Sequence, residues 1–127
     1  MVAKFDVPGV IIEGLAFLDN TSLLIYGSGG TLQLRNWKNH DVIRRFEGHE
    51  DAVYSCATSP DRTMLVTGSS HGGVHVWDVA SGRLLVTLKR PHPDGKEETW
   101  SVAWSPDGKR LATGFATGTV QIWPLFA

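Results

Sequence analysis

The stretch TGSSHGGVHVWD, residues 67–78, decides how this chain is read. Small residues and a double glycine lead into Val74-His75-Val76-Trp77, where apolar and polar side chains alternate. Alternation of this kind is the period of a strand with one buried face, and the glycines before it mark a tight turn. If the stretch is unique, it is one strand of a compact domain. If it returns at a fixed spacing, the period governs the whole fold.

It returns. Ser59-Pro60-Asp61, Thr67-Gly68 and Trp77 all recur 46 residues later, as Ser105-Pro106-Asp107, Thr113-Gly114 and Trp123. Going backwards, Gly27 stands 41 residues before Gly68, and Phe5, Phe46 and Leu88 end three similar segments at spacings of 41 and 42. Tyr54 to Trp77 and Trp100 to Trp123 both span 23 residues, so those two units have equal bodies. The extra length lies in KRPHPDGKEET, residues 89–99, whose proline, glycine and charge mark a surface loop. The first unit runs from Glu13 to Arg35 in 22 residues, and its missing residue is expected in the glycine-rich turn around Gly29, where a deletion costs least.

Each unit reads as four short strands. TLQL, GVHV and TVQI carry the alternation, preceded by SLLIYG, TMLVTG and KRLATG. Before those come GLAFLD, YSCATSPD and WSVAWSPDG, whose Asp-Asn or Pro-Asp ends are turn signals. AKF, VIRRF and LLVTL complete the set, giving the order d-a-b-c three times over with no helical periodicity.

With Gly48-His49 opening a unit and Trp77-Asp78 closing it at this period, the chain resembles a WD40-repeat β-propeller. The resemblance covers essentially the whole chain and is strongest from Gly48 to Trp123; the first unit has Arg35-Asn36 in place of Trp-Asp, and the third ends Trp123-Pro124. It implies an all-β fold of three four-stranded antiparallel blades in one domain, 1–127, with repeats at about 2–41, 42–83 and 84–127. It also implies a buried network within a blade, falling here on His49, Thr67 and Trp77 in the second unit and on Thr113 and Trp123 in the third. His71 and Thr117 stand where the family places the aspartate of that network, so His49 must find another partner; the register of His92 as a further histidine is open. Partner contact is implied at the start of strand a, Glu13, Tyr54 and Trp100, and before the b–c turn, Ser28, Ser70 and Ala116. The plainer reading of Tyr54 and Trp100 is packing along the rim between blades.

Three blades do not close a ring, since propellers typically carry four to eight. The first and last blades would each expose an apolar face. Ala3-Lys4-Phe5 is expected as an orphan strand d, and Thr119-Val120-Gln121-Ile122-Trp123 as a strand c with no d after it; both are unpaired edges. Two copies exchanging closing strands would make six blades, and this homodimer is the favoured expectation. A chain running from Met1 to just past a strand suits a deliberate unit of that kind. The alternatives are a piece of a longer propeller, pairing with a different chain of about four blades, and a nine-bladed trimer.

No catalytic constellation stands out, so the chain is expected to be a non-catalytic scaffold for protein partners, with no cofactor and no metal. His71 and His75 lack a third ligand at ligand spacing. Cys56 lies at an apolar position of strand a, Ser55 and Ser101 lack a nucleophile elbow, and GSGG at 27–30 is followed by no helix. Asp61 and Asp107 occupy equivalent turns in separate units. A ligand-binding or catalytic site at the central channel is the rival reading; it would need polar groups converging at one mouth, and Glu13, Tyr54 and Trp100 could offer an aromatic-acidic mouth for a cation. A net charge of −1 argues against nucleic acid, no apolar run is long enough to span a membrane, and one cysteine excludes a disulfide framework. A cytoplasmic location is expected.

Overall fold

The computed structural model describes residues 4–49, 51–70, 73–88 and 98–125. Eleven strands follow one another: β1 (Ile12–Phe17), β2 (Ser22–Gly27), β3 (Leu32–Asn36), β4 (Val42–Arg45), β5 (Val53–Thr58), β6 (Met64–Ser69), β7 (Val74–Asp78), β8 (Leu84–Leu88), β9 (Thr99–Trp104), β10 (Arg110–Phe115) and β11 (Val120–Pro124). They form three antiparallel sheets, ordered β1-β2-β3-β4, β5-β6-β7-β8 and β9-β10-β11. These are three blades of a propeller, the third carrying three strands among the described residues, as expected of a strand c with no d after it. The strands a (β1, β5 and β9) neighbour one another from blade to blade.

Turn chemistry explains where each strand ends. Asp19 accepts hydrogen bonds from the backbone N–H groups of Thr21 and Ser22, both at 2.8 Å. Asp61 accepts from the Ser59 and Thr63 hydroxyls and the Thr63 N–H, and Asp107 from the Ser105 hydroxyl and the Lys109 N–H. Each a–b turn is thus closed by one aspartate, an arrangement that favours the ionised carboxylate. The Thr21 N–H foremost holds Asp19 down to about 2. Asp61 and Asp107 thus each close their own turn, and the two turns together line a depression of about 330 Å³. Asp78 closes the c–d turn of the second blade through Ser81, and Asn36 does the same work in the first through the N–H groups of Lys38 and Asn39.

The core lies between blades. Leu24, Leu32 and Leu34 of the first blade meet Leu65, Trp77 and Val79 of the second, with Phe46 edge-on to Trp77 at 6.0 Å. Val66, Val74 and Val76 on the other face of the second blade meet Val102 and Leu111 of the third. The Trp104 indole crosses the same boundary to the Ala57 carbonyl at 3.0 Å.

Two sequence expectations are corrected. The ladder pairs Leu23 with Arg35, Leu65 with Trp77 and Leu111 with Trp123, so Leu23 is the counterpart of Leu65, whereas Phe17 is that of Thr58. Seven positions separate Thr58 from Leu65 and six separate Phe17 from Leu23, so the shorter first unit loses its residue in the a–b turn. The turn around Gly29 is not the place, and Gly68 is matched by Tyr26 instead of Gly27. Secondly, Lys4 and Phe5 form no strand. With no fourth-strand position open beside it, Phe5 lies 5.0 Å from the His40 ring and under the Arg35 guanidinium at 5.6 Å. Ala3, His71, His92 and residues 89–97 of the long loop lie outside the described residues.

Candidate functional site: a rim of three bulges

Each strand a skips one residue as it pairs with strand b. Ile12 pairs with Gly27 and Gly14 with Tyr26; Val53 pairs with Ser69 and Ser55 with Gly68; Thr99 pairs with Phe115 and Ser101 with Gly114. The skipped residues are Glu13, Tyr54 and Trp100. A bulge frees one residue from the ladder and re-aims its side chain, so all three expected contact residues are released at the same place in their blades. A single sequence does not display a bulge; only the common register of these three positions hinted at shared surroundings.

A second ring of bonds ties the other expected contact positions to this place. The Ser28 N–H donates to the Ile11 carbonyl at 3.0 Å, the Ser70 N–H to Ala52 at 3.1 Å and the Ala116 N–H to Glu98 at 3.0 Å. Each acceptor stands two residues before a bulge, so Ser28, Ser70 and Ala116 close the rim behind Glu13, Tyr54 and Trp100. In the first blade the Ser28 hydroxyl also accepts the Ile11 N–H at 2.8 Å.

The three bulged side chains converge. Glu13, Tyr54 and Trp100, from three successive blades, line a depression of about 260 Å³. The rings of Tyr54 and Trp100 are 5.8 Å apart and inclined at 44°. Trp100 is 60% exposed, and its indole N–H donates to Glu98 Oε2 at 2.9 Å, which fixes the ring and holds a carboxylate at its edge. A larger opening of about 460 Å³, bounded by Phe17, Trp37 and Arg62, lies at the a–b turn end of the blades.

Behind the rim sits the buried network. The Trp77 indole donates to Thr67 Oγ1 at 2.9 Å, and His49 Nε2 meets the same oxygen at 2.5 Å. The His49 ring lies 4.0 Å from that of His75. In the third blade Trp123 donates to Thr113 Oγ1 at 2.9 Å. The first blade has Ile25 at the Thr67 position and Arg35 at the Trp77 position, with Arg35 Nε bonded to Gln33 Oε1 at 2.5 Å, so the network is replaced there. Burial, and next the neighbouring His75, press the His49 pKa down to about 3; Asp51 opposes the shift. His49 is neutral at pH 7. Burial pushes the Cys56 thiol up to about 12, which keeps it from being a thiolate nucleophile.

The end faces are open. Val120 and Ile122 of the third blade are 70% and 53% exposed, whereas their counterparts Val74 and Val76 in the second are at 0% and 2%. Leu15 of the first blade is 55% exposed, against 9% for its counterpart Val102. A Cβ added at Gly68 would come within 2.6 Å of Thr99 Cγ2 on the next blade, but at Gly114, the same position on the third blade, the nearest atom is 3.8 Å away within its own sheet.

A family model described as WD domain, G-beta repeat matches residues 40–78 and 82–124. A segment of 67 residues is 39% identical to Periodic tryptophan protein 2 of Saccharomyces cerevisiae, covering 51% of this chain and 7% of that protein. Another of 82 residues is 34% identical to U3 small nucleolar RNA-associated protein 12 of the same yeast, covering 64% and 8%. The solved WD40 beta propeller domain of Doa1 superimposes with a TM-score of 0.79 at 25% identity, over 88% of this chain and 36% of that one. The chain therefore spans less than a tenth of these two relatives and about a third of the solved propeller.

Proposed function

We propose that this chain, which belongs to the WD-repeat β-propeller family, is a non-catalytic scaffold that binds protein partners on the rim formed by its three strand-a bulges. The observation that carries this reading is the convergence of Glu13, Tyr54 and Trp100 on one depression. Exposed aromatic side chains on rigid strands bring large contact area at small entropic cost. The triple variant Glu13→Ala, Tyr54→Ala, Trp100→Ala should keep its far-UV circular dichroism and lose the proteins that the wild-type chain retains from a cell extract. Retention of the same set by the variant would refute the rim as the contact surface.

The same reading includes closure by a second copy, giving six blades. What supports it is that each end face repeats the pattern of an internal blade boundary and is exposed. In such a ring Gly114 would receive Ile12 of the second copy, as Gly68 receives Thr99, and the segment through Lys4 and Phe5 would supply a fourth strand beside β11. Light scattering should then report twice the 13.9 kDa chain mass. Gly114→Leu, whose Cβ meets only Ser101 of its own sheet at an ordinary 3.8 Å, should reduce that mass to one chain without altering the fold. A second reading, three blades of a longer propeller, is favoured by the small share of its relatives that the chain spans. A wild-type chain that stays monomeric would select it.

A further inference from the structure

Resting on the rim as the contact surface, we propose that the Glu13–Tyr54–Trp100 depression takes the cationic end of a lysine or arginine side chain carried by an extended partner peptide. Two aromatic rings in contact, 5.8 Å apart and inclined at 44°, border the depression, and Trp100 is 60% exposed. A cation over an aromatic face is drawn by the ring quadrupole, and two faces act together. The third wall is the Glu13 side chain, and the Trp100 indole holds the Glu98 carboxylate at the edge of the same ring. The residues that line the depression, Glu13, Tyr54 and Trp100, include no lysine or arginine.

Charge decides between a cation and an apolar occupant. An apolar side chain entering here would strip water from Glu13 and return nothing to its carboxylate, a costly burial. A basic side chain places its methylenes along the rings and its charge against the Glu13 carboxylate. An acidic side chain would meet repulsion from Glu13 and Glu98. The bulges matter because they put the two rings and Glu13 at the same height on three separate blades, which regular ladder pairing would not do.

The test uses the full chain and four capped peptides of glycine and serine that differ only at a central lysine, arginine, norleucine or glutamate. Nuclear magnetic resonance follows the Trp100 indole N–H, identified by its loss in Trp100→Phe. The lysine and arginine peptides should shift this resonance and bind about tenfold more tightly than norleucine, the preference should shrink at high salt, and Glu13→Gln should remove most of it. Equal affinity for lysine and norleucine at the same indole overturns the cation assignment but leaves the rim as a contact surface. If no peptide moves the Trp100 resonance, the depression is not a side-chain pocket. In that case the cation assignment falls, while the rim itself is judged by the retention of partners in the triple variant.

Discussion

Trp77→Ala is expected to lower the free energy of unfolding by about 3–5 kcal/mol, the range for removing a large buried aromatic side chain. Trp77 is fully buried between the first two blades, edge-on to Phe46, with its indole bonded to Thr67. Its loss leaves a cavity in the boundary that joins the blades and strips the Thr67 hydroxyl of one partner. Thr67→Val separates the two effects, since it keeps the packing but leaves the Trp77 N–H and the His49 nitrogen without their oxygen; it should cost about 1–3 kcal/mol. Trp123→Ala should cost less than Trp77→Ala, because Trp123 makes the equivalent bond to Thr113 but is only half-buried, on a blade with one neighbour. Urea denaturation followed by circular dichroism gives all three values. A cost below about 1 kcal/mol for Trp77→Ala would show that the boundary repacks around the gap.

Acidification should destabilise the chain well before its carboxylates titrate. His49 binds its proton near pH 6.5 when unfolded and near pH 3 when folded, so between those values the unfolded chain holds the extra proton. Stability from this residue is complete above the unfolded value and is lost as pH falls toward the folded one. The loss between pH 8 and pH 5 is about 2 kcal/mol for one such group. The aspartates at the a–b turns have lowered values and contribute in a lower window, as pH falls below the ordinary carboxylate range. His49→Gln, which can still bond to Thr67, should flatten the stability profile between pH 8 and pH 5. A profile as steep in the variant as in the wild type would assign the slope to another group.

The residues of the repeat were enough to specify strands and turns, and the family resemblance they carry implied the pairing of Trp77 with Thr67, because each depends on chemistry within a few residues or one blade. Alternating apolar positions need only a two-sided sheet, and an Asp two residues before a Thr or Lys closes its own turn. The first blade shows where this legibility stopped. Its glycines suggested a deletion near Gly29, but hydrogen-bond register placed the loss in the a–b turn, since pairing between strands and not similarity of letters fixes which residues correspond. Phe5 likewise reads as strand by similarity to Phe46, yet a strand needs a neighbour whose backbone groups are open, and that position belongs to another blade.

By itself, then, the sequence determined the family, the number of blades and the positions at which partners were expected. Only the tertiary structure decided that those positions are bulges, that Glu13, Tyr54 and Trp100 meet in one depression, and that Val120 and Ile122 are bare where Val74 and Val76 are covered. The physical reason is the range of the interactions. Strand and turn propensities act between neighbours along the chain, but a bulge depends on the register between two strands, a shared depression on the stacking of three sheets, and a bare face on whether a fourth sheet stands beside it.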